Sequence, residues 1–265
     1  MAARDDASPD EAGPFARELR RRRRARRMSQ LDLALASGVS ARHLSFLETG
    51  RALPSREMVL TLAEALLLPL GVRNALLAAA GFAPSYPASD LTSEALAPFH
   101  AALSEIIDRH HPFPALVCDR YWTIRDANAS ARLLLSALHG DGGQMNIVRM
   151  LTDAPEAEDL VVNYAEVIAE MTARIRLEAL EAGADETFDG LIAALETAAA
   201  RRPYGADVAR RPLAPVVLNA PGGELRLLST IAHFGTSEDV TVRDLRLELL
   251  FPADDATRDA LLALA

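Results

Sequence analysis

Between residues 28 and 58 apolar positions recur at helical spacing, and breaker residues cut the pattern into short lengths. Leu31, Ala34 and Leu35 fall on one face of a helix that begins after Ser29, a good N-cap, with Asp32 three residues on completing the signature of a capping box. Ala34 is small enough for a second helix to cross close to it. Gly38 supplies the left-handed conformation that ends a helix without strain. Ser40 then caps a second helix that buries Leu44 and Leu47 and turns Ala41, Arg42, Ser45 and Phe46 outward, and Gly50 stops it. Two helices about a short glycine-containing turn are the DNA-binding helix-turn-helix. The same periodicity predicts helices over 14–27, over 55–66 and within GVRNALLAAAG, which ends at Gly81. FAPSYPASDLTS, rich in Pro and Ser, predicts a linker.

Beyond the linker a helix over 93–110 places Leu96, Phe99, Leu103, Ile106 and Ile107 on one face. The period then changes. ALVCD and WTIRDAN predict two short strands with a turn at 119–120, followed by the helix ASARLLLSAL, the glycine-rich loop HGDGGQ and a short helix in NIVRMLTD. Longer helices are predicted over 155–181 and 186–201. APVVLN and ELRLLSTIAHF flank APGG as a hairpin, VTVRDLRLELLF reads as a further strand, and FPADDATRDALLAL closes with a helix. The fold class is therefore α+β: an all-α five-helix head and an antiparallel sheet with helices on one side. The domain boundaries that follow are 1–13 as a disordered tail, 14–82 as the head, 83–92 as linker and 93–265 as the sheet domain. A sheet of about five strands with helices inserted after the second resembles the PAS fold, a common small-molecule sensor.

Composition narrows the chemistry. Half of the 265 residues are hydrophobic, so the chain has ample core, and charges interrupt every run long enough to span a membrane. MAARDDASPDEAGPF lacks the apolar stretch of a secretory signal. Cys118 is the one cysteine, which excludes an internal disulfide and points to a cytoplasmic location. There is no lysine, so a P-loop lysine, a Schiff-base lysine and a kinase lysine are excluded. The net charge of −9 is unevenly divided: residues 14–82 hold 12 Arg against 5 Asp and Glu, a balance of +7, while 83–265 carry −13. A basic segment with the run RRRRRARR over 20–27 on an acidic body is the electrostatic footprint of a DNA-binding head joined to a domain with another task. The run also reads as a solvated helix face, but arginine beside a helix-turn-helix is better used on phosphates, and both can hold at once.

Particular strings carry a family resemblance. The head, with Gln30, Ala34, Gly38, Val39, Leu44 and Leu47 followed by LETGRALPSREMV, resembles the Cro and xenobiotic-response-element type of helix-turn-helix. Together with RNALLAAAGFAPSY, HPFPALVCDRYWTI, NIVRML, NYAEV, FGTSEDVTV and LFPADDATR, it resembles bacterial transcriptional regulators with a C-terminal MmyB-like ligand-binding domain, from about Phe15 to the end of the chain. One departure is Arg22, where an apolar residue is common. The resemblance implies a transcriptional regulator whose C-terminal domain senses a small lipophilic molecule. It also implies an ion pair between Arg23 and Glu48. One head offers a single recognition helix and a small footprint, so a homodimer on a double-stranded operator is expected, and the charges that interrupt every apolar run predict no role at a membrane. The candidate DNA-contacting residues are Gln30, Ser40, Ala41, Arg42, His43, Ser45, Phe46 and Arg51: the amide of Gln30 sits where a helix start meets phosphate, and Arg42 suits guanine in the major groove.

No catalytic, metal or cofactor constellation is present in the sequence. The six histidines include no HExxH pair, a lone cysteine makes no thiolate zinc site, and Gly140, Gly142 and Gly143 form no phosphate fingerprint. The segments Leu133 to Leu135, Ile147, Met150, Leu151, Val161, Val162, Val167, Ile168 and Met171 offer more apolar side chains than one sheet face needs, which predicts a pocket between the sheet and the helical insert. Asn146, Arg149, Asn163 and Tyr164 are the candidate ligand-binding residues interrupting that wall; the alternative reading of such an arginine or asparagine is a side chain that ties loops together. Arginine clamps carboxylates, so a fatty-acid-like ligand is the first expectation. The alternatives are a regulator acting only through protein contacts, or an enzyme, with no ligand in the second domain.

Overall fold

Helix starts in this chain are set by short polar side chains that satisfy the free N–H groups of the first turn. The computed structural model describes residues 12–136, 145–154, 156–182, 185–203, 215–234 and 237–264. Most of the expected N-terminal tail and the whole HGDGGQ loop lie outside these. The described chain falls into two compact units, one built by residues up to 88 with others from 177–186 and 238–240, the second by 89–176, 187–237 and 241 onward.

The first unit contains five helices. Pro14 occupies the first position of α1 (Pro14–Ala25), where its missing N–H is no loss. Ser29 and Asp32 form the full capping box of α2 (Gln30–Ser37), which ends at Gly38 with φ 70°. Ser40 accepts from the His43 N–H to start α3 (Ala41–Glu48), and Ser55 does the same from Met58 for α4 (Arg56–Ala65). α5 (Leu70–Ala79) completes the set. Their core joins Leu19, Leu33, Leu44, Leu47, Val59, Leu62, Leu76 and Leu77. The buried face of α2 differs from the one expected. Leu33 and Ala34 point inward, while Leu31 and Leu35 are 58% and 74% exposed. Two helical turns are too few for a period to select between neighbouring faces, so the choice falls to where α3 and α4 meet the helix.

In the second unit a 3₁₀ turn at Glu94–Leu96 leads into α6 (Ala97–Arg109). Strands β1 (Ala115–Cys118) and β2 (Ile124–Ala127) follow, then α7 (Ala129–Ser136), α8 (Ile147–Asp153), α9 (Ala157–Leu160), α10 (Tyr164–Ala182) and α11 (Glu186–Arg201). β3 (Val216–Ala220) and β4 (Gly223–His233) form the expected hairpin over Pro221 and Gly222. α12 (Val240–Asp244), β5 (Arg246–Pro252) and α13 (Asp255–Ala263) end the chain. The strands make one antiparallel sheet in the order β2-β1-β5-β4-β3, with the helical insert between β2 and β3. This is an α+β arrangement of the PAS-like kind. The helices divide between the two faces of the sheet: Ala115, Val117 and Leu247 pack on Leu103 and Ile107 of α6, whereas Leu116 and Cys118 pack on Ala131 and Met150 from α7 and α8.

Two predicted elements are each split in two. The helix expected over 155–181 breaks at 161–163, because Val162 N–H leaves the helix for the Val217 carbonyl of β3 at 2.8 Å and Val161 bridges Leu218. The strand expected from 240 begins only at Arg246. Its pairing partners end there, at Cys118 of β1 and His233 of β4, so the preceding VTVRD has no strand to join and coils into α12.

Buried Asn128 ties the α6–β1–α7 junction together. Its side-chain oxygen accepts from the N–H groups of Ala115 and Ala131, and its amide donates to the carbonyls of Ile107 and Phe113, at 2.8–3.1 Å. Each buried backbone group left unpaired costs about 1–3 kcal/mol. Replacing Asn128 with Ala is expected to lower unfolding stability by about 2–4 kcal/mol on the same reasoning, read as a shift of the urea midpoint at constant slope. Asn128→Asp keeps the two acceptor bonds but sets a buried carboxylate oxygen against the Ile107 and Phe113 carbonyls in place of the donating amide, so it should not rescue the stability lost in the Ala variant.

Candidate functional site

Three donors converge on the carboxylate of Glu48, the last residue of α3. Arg23 of α1 makes a two-pronged pair with it, Nε to Oε1 at 2.6 Å and NH2 to Oε2 at 2.8 Å. The Gln30 amide nitrogen donates to the same Oε2 at 2.7 Å. Arg20 donates to the Glu48 carbonyl, and Arg23 also reaches the Met28 carbonyl at 2.7 Å. Burial works against ionisation of Glu48, but the Arg23 and Gln30 bonds outweigh it and hold the carboxyl below its ordinary value. The pair thus clamps the C-terminal end of α3 to α1 and leaves the N-terminal end of α3 projecting.

At that projecting end Ser40, Ala41 and Arg42 are exposed, with His43, Ser45 and Phe46 half-buried and Arg51 exposed in the turn that follows. The Arg42 guanidinium lies 5.4 Å from the Phe46 ring centroid one turn on, so a cationic plane and an apolar ring are presented side by side. Seven of the eight candidate DNA contacts therefore line α3 and its turn. Gln30 stands apart, its amide nitrogen engaged by Glu48. Part of the arginine run is turned inward: Arg22 and Arg23 are buried, Arg22 pairing with Glu18 at 2.6 Å, Arg20 and Arg26 are half-buried, and Arg21, paired with Glu18, Arg24 and Arg27 are exposed. The charge offered outward is correspondingly smaller than the sequence balance.

The second unit holds a cavity of about 130 Å³ between the sheet and helices α7, α8 and α10. Eight of the apolar residues expected to wall a pocket line it: Leu134, Leu135, Ile147, Met150, Leu151, Val161, Val167 and Met171. Leu133 and Val162 face solvent instead, and Ile168 is packed in the core. The sheet contributes Leu116, Val216, Leu218, Leu227 and Leu250, and one polar side chain, Glu248.

None of the four polar candidates is among the lining residues. Asn146 caps α8 and donates to the Tyr121 carbonyl at 2.7 Å. The Arg149 side chain is 49% exposed beside Asp153, 3.7 Å away. Asn163 bridges to β3, donating to the Pro215 carbonyl at 2.8 Å and accepting from the Val217 N–H at 2.9 Å. The buried Tyr164 hydroxyl donates to the Leu151 carbonyl at 2.8 Å. Asn146, Asn163 and Tyr164 occupy the places where the insert changes direction and tie its segments together, whereas Arg149 lies within α8 and points outward. Glu248 was passed over in the sequence, although an acidic residue inside the apolar strand LELLF was a visible signal.

A family model described as the MmyB-like transcription regulator ligand binding domain matches residues 99–264, and a helix-turn-helix family model matches residues 19–72. None of the curated proteins compared with the chain matches it.

Removing one partner of the buried Arg23–Glu48 pair is expected to cost about 3–5 kcal/mol, and a double-mutant cycle of Arg23→Ala with Glu48→Gln should return strong coupling in denaturant unfolding. Because the folded pKa of Glu48 lies below the unfolded value of about 4.3, its contribution is complete above that pH and lost as pH falls through the folded value. Glu48→Gln should therefore flatten the acid limb of the stability profile.

Proposed function

Since the chain belongs to the MmyB-like transcription regulators, with their ligand-binding domain behind a helix-turn-helix, we propose that α3 reads an operator sequence in the major groove and that a small lipophilic molecule in the sheet-domain cavity alters this binding. The observation that carries the first half is the clamp on Glu48, which fixes one end of α3 while its Ser40 to Phe46 face stays open. Arg42 at the start of the helix supplies the donor fork that fits guanine O6 and N7, and Phe46 beside it suits a thymine methyl. Arg51 and the helix start at Ser40 contribute to phosphate.

The second half is supported by a wall of aliphatic side chains and flexible methionines with one polar group among the described lining residues. Such a ligand regulates only if it binds the DNA-competent and incompetent arrangements with different affinity. Arg149 lies at the surface, so the geometry favours a lipophilic body without an arginine-clamped carboxylate. The protein works as a cytoplasmic homodimer, two heads reaching half-sites about 34–36 Å apart or a multiple of that.

Selection of duplexes from a random pool, followed by anisotropy titration, tests the operator reading. Arg42→Ala should weaken binding to the selected sequence by about 1–3 kcal/mol while scarcely changing binding to a scrambled duplex. Equal loss on both duplexes would reduce Arg42 to a phosphate contact. Light scattering should report a dimer on the operator, and a monomer in both free and bound states would reject that part. Native mass spectrometry before and after organic extraction should show loss of a small co-purifying molecule.

A further inference from the structure

Glu248 sits on β5, the central strand, directly opposite Leu116 on one side and Ile231 on the other. Strand alternation turns it to the same side as Leu250, into the cavity. Its Oε1 accepts from the Ser229 hydroxyl at 2.5 Å, and its other oxygen has no donor among the described residues. Burial pushes the Glu248 carboxyl above its ordinary value, with the Ser229 hydroxyl and the charge of Arg174 opposing only in part. Arg174 is engaged elsewhere, its guanidinium over the Trp122 ring at 5.4 Å.

A carboxyl oxygen aimed into an apolar cavity without a donor is costly, and a ligand that brings a donor removes that cost. A carboxylate ligand would do the reverse, since two acids sharing a low-dielectric site cannot both ionise. Size adds a second constraint. An apolar cavity of roughly 150 Å³ accommodates benzene, so about 130 Å³ fits a single ring or a body of comparable bulk.

We propose that this cavity selects a compact apolar molecule bearing one hydrogen-bond donor, a hydroxyl or a protonated amine, which the free oxygen of Glu248 accepts, and that it rejects carboxylic acids. This rests on the reading of the domain as a ligand sensor and names the head group of its ligand. Glu248 is then the specificity-determining residue of the site, and the aliphatic wall supplies affinity without choosing among head groups.

The test uses the full chain and four probes of matched size: toluene, benzyl alcohol, benzylamine and phenylacetate, each titrated by calorimetry and followed by thermal shift. Benzyl alcohol and benzylamine should bind roughly tenfold tighter than toluene, and phenylacetate more weakly than toluene. Glu248→Gln keeps an acceptor but removes the charge, so the advantage of benzylamine should disappear while that of benzyl alcohol remains. Glu248→Leu should abolish both and leave toluene binding intact. If toluene binds and the polar probes gain nothing over it, or if either preference survives Glu248→Leu, the head-group assignment is overturned while the sensor reading stands. If no probe binds, and Leu218→Trp, which fills the cavity, leaves operator binding and any co-purifying molecule unchanged, the sensor reading itself falls.

Discussion

The strand at the centre of the sheet sets the terms for the second unit. β5 pairs on both edges, so its alternating side chains face two opposite layers, and each layer needs a cover. Leu247 and its neighbours obtain theirs from α6, a continuous helix whose buried Leu103 and Ile107 pack against them. The other face is covered by an insert that changes direction repeatedly, through α7, α8, α9 and α10. Short helices meeting at angles do not close over a twisted sheet as one long helix does, and the space left between them is the cavity. The same alternation that gives Leu247 a dry core turns Glu248 toward that space.

The polar residues of the insert are the cost of this geometry. Wherever the chain turns, backbone groups need partners, and Asn146, Asn163 and Tyr164 supply them. Asn128 does the same where α6 gives way to β1 and α7. The candidate site is thus held by side chains that line none of it, and the one polar side chain that does line it comes from the sheet. In the first unit an analogous division holds. Arg23 and Gln30 are consumed in fixing Glu48, and the residues presented outward lie on the open Ser40 to Phe46 face of α3.

Much of this was legible in the residues. Ser29, Ser40 and Ser55 act at fixed short range on the N–H groups of their own helices, and Gly38 and Gly50 take positive φ because no other residue does so as cheaply, so the helix limits of the head follow from local chemistry. The strand strings and the hairpin over Pro221 and Gly222 are local in the same sense. The Arg23–Glu48 pair was reached by resemblance to Cro-type heads, since nothing in the spacing of two residues 25 apart identifies partners.

What the sequence by itself determined, then, is whatever depends on neighbours along the chain: where helices begin, where turns fall, which strands alternate, and that one end of the protein is basic and the other acidic. Only the tertiary structure decided what depends on partners distant in sequence. It chose the Leu33 face of α2 over the Leu31 and Leu35 face, because α3 and α4 approach from that side. It broke the helix at 161–163, because β3 offers the Val162 N–H a better acceptor than the helix does. It drew Arg149 out to solvent and turned Glu248 inward. A polar residue in an apolar string is ambiguous between tying a loop and facing a cavity, and the ambiguity ends only when the direction of its side chain and the donors within its reach are known.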